Sequence, residues 1–185
     1  MVPFMSPTKE IKFIVDEMLG NLARWLRILG FDTVYAQEIR KKENIRENKR
    51  FDTYIIRIAL LEDRILVTRD TELYTRARYY GVKAILLYSN ISDIVSTLYT
   101  ILSKVNVKQL PIYSSSPRCP VCNGLLKQIT EAKIRLLVPE NSWQYSTEFY
   151  VCNSCGKVYW KGSHWRRISS VLAKISQLLK QANTH

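Results

Sequence analysis

From residue 11 to about residue 104, short apolar runs alternate with longer stretches whose apolar positions recur every three or four residues. The first kind predicts strands, the second amphipathic helices. Residues 11–15 (IKFIV), 32–36, 64–68 and 82–88 read as strands. Residues 18–29 place Met18, Leu22, Trp25, Leu26 and Leu29 on one helical face and stop at Gly30. Residues 53–61, 71–80 and 91–105 read as further helices, the second ending at Gly81 and the third with Ser92 or Asp93 at its cap. Strands alternating with helices at this spacing predict an α/β fold with a mostly parallel sheet and helices on both faces. One segment breaks the rhythm: residues 38–50 (EIRKKENIRENKR) are charged around Ile39 and Ile45, and read as a solvated surface helix or loop.

Pro111 to Pro117, with three serines between, marks a boundary between a first domain at residues 10–112 and a smaller one at 117–182. The second opens with CPVC, continues through a predicted hairpin at 125–138, and reaches a second C-x-x-C at 152–155. It ends in a helical tail in which Trp165, Ile168, Leu172, Ile175 and Leu179 share one side, a stripe expected to pack against the body of the protein.

Composition changes this picture in two ways. The 185 residues are 46% hydrophobic, which suits a folded chain, yet no apolar run approaches the roughly 20 residues a membrane span needs. With no signal-like start, a cytoplasmic protein is expected. The formal charge is +12, and it is uneven: residues 117–185 carry 10 basic and 3 acidic groups, against 18 and 13 in the rest. A surface with that balance collects polyanions, of which nucleic acid is the commonest.

The four cysteines carry the clearest chemistry. Two residues between thiolates let both sulfurs of a knuckle face one cation, and two knuckles complete the all-sulfur tetrahedron of structural zinc. Cys119, Cys122, Cys152 and Cys155 are therefore assigned one Zn²⁺. His164 is able to replace a ligand, but four cysteines already close the shell.

The α/β part holds three aspartates where a parallel sheet binds ligands, beyond its strand ends. Asp16 follows the first strand, Asp70 follows the third, and Asp52 opens a helix. Gathered carboxylates suit Mg²⁺ or Mn²⁺; singly, Asp52 and Asp70 serve equally well as helix caps and Asp16 as a turn residue. No phosphate-binding loop, dinucleotide fingerprint, nucleophile elbow or H-E-x-x-H is present. The two histidines, His164 and His185, leave the α/β part without a histidine triad.

Four stretches, VDEMLGNLARWLRILGFD (15–32), LVTRD (66–70), CPVCNG (119–124) and CGKVYWKGSHW (155–165), resemble the Mut-seven C-terminal RNase domain family. The resemblance implies a PIN-like nuclease domain fused to a zinc ribbon. It implies a divalent-metal-dependent ribonuclease, with Asp16, Asp52 and Asp70 as acids holding Mg²⁺ or Mn²⁺. A fourth acid would come from Glu17, Glu72 or Asp93, and Arg24 would face substrate phosphate. In that reading the basic residues Arg118, Lys157, Lys161, Arg166 and Arg167 clamp RNA. Tyr159, Trp160 and Trp165 offer faces for an unpaired base or, Trp160 above all, fill the ribbon core. Two other readings stay open. One is a non-catalytic RNA- or ribosome-binding protein, with ribosome or tRNA association, on a degenerate nuclease fold. The other is a zinc-ribbon DNA-binding regulator.

Overall fold

The computed structural model describes residues 10–88, 93–113, 117–129 and 148–182. Four short strands, β1 (Lys12–Val15), β2 (Asp32–Tyr35), β3 (Arg64–Thr68) and β4 (Ala84–Leu86), form one parallel sheet in the order β2-β1-β3-β4. Alternation along β1 explains the layering. Phe13 and Val15 enter a core with residues of α1 (Gly20–Ile28) and α5 (Ile94–Lys104). Ile14 enters a second core with residues of α3 (Asn48–Leu61) and α4 (Thr71–Tyr79). The sheet is thus buried on both faces, and β1 is apolar at every position after Lys12.

Three local differences from the sequence pattern bear on the site. Glu17–Leu19 is a 3-10 turn, so Met18 falls out of the helical register and stands 60% exposed. The charged segment contains α2 (Ala36–Glu43), whose partly buried Ile39 packs on the second core. Then α3 begins at Asn48, five residues before the expected start, because Phe51 is buried in that same core. Asp52 therefore lies inside α3 and is not its cap.

The ribbon is a three-stranded antiparallel sheet, β5 (Leu126–Ile129), β6 (Phe149–Cys152) and β7 (Val158–Trp160), in that order. Here β5 pairs with β6, Leu126 opposite Cys152; most of the hairpin expected at 125–138 lies outside the described residues. Among the described residues the ribbon's own cluster is Phe149 with Ile129 and Val158 against it. The last helix, α6 (Ser163–Ala182), buries Val171, Leu172, Ile175 and Leu179 in the first core, as the tail stripe predicted. Among the described residues no helix is long and apolar enough to cross a membrane.

Candidate functional site

Each cysteine knuckle closes the same way. The N–H of Asn123 donates to the Cys119 carbonyl at 2.9 Å, and the N–H of Gly156 donates to that of Cys152 at 3.0 Å. Both closing residues sit in the left-handed region, Asn123 at φ 68° and Gly156 at φ 71°, where glycine and asparagine are tolerated best. The four sulfurs lie within 4.8 Å of one another. Cys119 and Cys155 are 3.7 Å apart and Cys122 and Cys152 3.4 Å. A tetrahedron with Zn–S bonds near 2.3 Å has edges of about 3.8 Å, while a disulfide needs about 2 Å. The four cysteines are positioned to bind one metal ion and fit structural zinc. Burial pushes the Cys122 thiol up to about 12. Burial acts the same way on Cys152, but the N–H groups of Cys155 and Ser154 bring it down to about 7. His164 is exposed on α6, outside this group.

The first knuckle is bolted to the α/β body by a residue that the sequence pattern did not single out. Arg27 of α1 is 1% exposed. Its Nε donates to the Thr33 carbonyl at 2.9 Å, and its terminal nitrogens bind both oxygens of Glu38 at 3.0 and 2.8 Å. The same guanidinium reaches the carbonyls of Val121 at 2.9 Å and Pro120 at 3.3 Å, inside the knuckle. The one signal available was its place beside Ala23 and Leu26 on the apolar face of the helix. Asn123 adds a second bolt: its side-chain oxygen accepts the Thr33 N–H at 3.0 Å and its amide donates to Asp32 at 2.8 Å. Arg118, expected at the RNA, is committed here instead. Its guanidinium meets Glu10 at 3.2 Å, Asp32 at 3.6 Å and the Asn123 carbonyl at 3.2 Å. Burial raises the Asp32 carboxyl, but hydrogen bonds from Arg64 and Asn123 and the charges of Arg64 and Arg118 outweigh it and hold the group below its ordinary value.

The aspartates gather at the carboxyl ends of β1 and β3. These strands are adjacent, Val15 opposite Val67, and the strand order reverses between them, the place where open parallel sheets take ligands. Asp16 is 8% exposed. One of its oxygens accepts the Glu17 N–H at 2.7 Å and the other the Thr68 hydroxyl at 2.6 Å. Thr68 in turn accepts the Asp70 N–H at 2.9 Å, so a single hydroxyl ties the two acidic positions together. Asp70 caps α4, its Oδ1 accepting the N–H groups of Glu72 at 2.7 Å and Leu73 at 3.0 Å. Asp52 approaches from α3 and pairs with Arg76 at 3.0 Å.

Burial raises the Asp52 carboxyl, Arg76 lowers it, and the charges of Asp70, Asp16 and Glu72 raise it further, leaving it above its ordinary value. Four carboxylates thus share one field, which favours a cation. The donor set, all hard oxygen, fits Mg²⁺ or Mn²⁺ better than zinc. Among the described residues only the cysteines bring their ligand atoms within 4.8 Å, so the acids form a looser cluster. Of the other acids, Glu17 is paired with Arg40 at 2.7 Å and Asp93 caps α5, while the charge of Glu72 reaches Asp52.

Arg24 is exposed on α1, and Arg166 and Arg167 are exposed in the first turn of α6. Lys157 is exposed, and Lys161 pairs with Glu148. Tyr159 is turned inward, its hydroxyl 3.0 Å from the Cys119 sulfur. A family model described as Mut7-C RNAse domain matches residues 11–172, a span holding every acid and cysteine of both clusters. No curated protein and no solved structure matches the chain.

Proposed function

Because the chain belongs to the Mut7-C RNAse domain family, we propose that it is a divalent-metal-dependent ribonuclease that hydrolyses RNA phosphodiester bonds. The observation that carries this reading is the Thr68 hydroxyl joining Asp16 and Asp70 at the strand-order reversal, with Asp52 facing them. Asp16, Asp52 and Asp70 would hold the ion. Mg²⁺ or Mn²⁺ bound there supplies a water of lowered pKa and neutralises charge on the leaving oxygen. Asp16, held at both oxygens, would offer a fixed ligand direction, while Asp52 would exchange part of its pairing with Arg76 for the cation. Arg24, Lys161, Arg166 and Arg167 supply positive charge for the RNA backbone, and Arg118 serves the knuckle contact.

The alternative is a protein that binds RNA, as free RNA, tRNA or ribosome, without cutting it. It draws on one observation: the Asp52 carboxylate is paired with Arg76 at 3.0 Å. Both readings meet the same assay, RNA cleavage with Mn²⁺ or Mg²⁺ by the zinc-loaded protein and by an Asp16→Asn, Asp70→Asn double variant. The nuclease reading expects cleavage to disappear in the variant while RNA binding persists. Cleavage surviving in the pure double variant would overturn the site, and no metal-stimulated cleavage by the wild type would favour the binding protein.

A further inference from the structure

Between the ribbon and the helices lies an open cavity of about 350 Å³ whose lining includes none of Asp16, Asp52 and Asp70. Its walls include Leu126 and Tyr150 of the ribbon sheet, Trp160 at the end of β7, and Trp165 and Ile168 of α6. Trp160, expected in the ribbon core, is instead 37% exposed and only leans on Phe149, ring centres 6.2 Å apart. Glycine at 162 lets the indole sit where it does, since a β-carbon there would come 3.1 Å from its nitrogen. Lys161 lies between the two tryptophans in sequence, its ammonium paired with Glu148 and 5.7 Å from the centre of the Trp165 ring, so a phosphate there exchanges with that carboxylate. Arg166 and Arg167 follow directly and are exposed.

An apolar cavity walled by aromatic faces, with cations at its rim, in the part of the chain that carries 10 basic and 3 acidic groups, suits a flat ring attached to an anion. The geometry points to a binding site for one unpaired nucleobase of single-stranded RNA, stacked against Trp160 and Trp165, with its flanking phosphates on Lys161, Arg166 and Arg167. This deepens the ribonuclease reading, since it rests on RNA as the substrate, and it names the class: single-stranded RNA, gripped by a base away from the bond to be cut. Stacking is indifferent to which base is present, so the grip discriminates strandedness and not sequence.

The test is direct binding of the full-length, zinc-loaded protein, without added Mg²⁺ or Mn²⁺, to three labelled probes. These are a single-stranded RNA ten-mer, an abasic ribose-phosphate ten-mer of equal charge, and duplex RNA. The wild type is expected to prefer the base-bearing strand over the abasic one by about tenfold. Trp160→Ala should abolish that preference and Trp160→Phe should retain it. Equal affinity for the base-bearing and abasic strands in the wild type would overturn the site without recourse to any variant. So would a Trp160→Ala loss that is the same for both strands, or self-association of the free protein that Trp160→Ala abolishes. Cleavage is read separately, so an inactive protein with a base preference and an active one without it are distinct results.

Discussion

All three guanidinium nitrogens of Arg27 donate hydrogen bonds. A buried guanidinium is stable only when its charge is paired and its N–H groups are satisfied, and here one carboxylate and three backbone carbonyls from two parts of the chain do both. Lysine keeps the charge but lacks the planar fork. Arg27→Lys is therefore expected to lower stability by about 2–3 kcal/mol, read as a reduced urea midpoint. It should also speed zinc release to a chelator, because the knuckle loses its anchor.

Asp32 is the matching acid on the other side of the contact, bridging Arg64 at 2.8 Å and Asn123 at 2.8 Å. Its carboxyl is held below the unfolded value. Its contribution is then complete above about pH 4 and is lost as pH falls through the lowered folded value. Asp32→Asn should destabilise the protein by about 1–3 kcal/mol at pH 7. The gap between variant and wild type should narrow at pH 3, and an unchanged gap would assign the loss to packing instead of charge.

At the scale of elements, the ends of β1 and β3 act together through Thr68. Thr68→Val keeps the shape of the strand end but leaves an oxygen of buried Asp16 without its donor and the Asp70 N–H without its acceptor. If the site holds a divalent ion, Mn²⁺ affinity or cleavage should fall by about 10- to 100-fold, as for other residues that orient metal ligands. The fold should persist by circular dichroism.

This pair also shows what a sequence can reveal. Asp16 and Asp70 are legible because the first directly follows an apolar strand and the second comes two residues after one, and parallel strands place such positions at one edge. Asp52 was legible as a residue but not as a position in an element. The helix around it starts earlier, where charges on the outer face of α3 conceal the single buried Phe51. The knuckles were legible to the residue because ligand spacing is local. The contacts of Arg27 with Pro120 and Val121 were not, because the partners lie more than ninety positions apart and nothing in a periodic pattern encodes them.

On the scale of the molecule, the sulfur and oxygen clusters stand differently to the fold. The sulfur cluster joins the two knuckles of the ribbon, where zinc binding can contribute on the order of 10 kcal/mol to folding. The oxygen cluster sits at the ends of strands that two hydrophobic cores bury on both faces. Removing zinc with a thiol-competent chelator should therefore disturb tryptophan signals of the ribbon while the helices of the first domain persist.

Thr33 gives that removal a further consequence. It lies on β2, one of the two edge strands of the parallel sheet, and its N–H is taken by Asn123 and its carbonyl by Arg27. Two side chains here play the part of a neighbouring strand. An open strand edge invites the same edge of another molecule, so what the knuckle supplies at this point is solitude. Stripped of zinc, the protein is expected to scatter light in a concentration-dependent way before its helices melt, and a charged residue introduced on β2 should keep the metal-free form in solution.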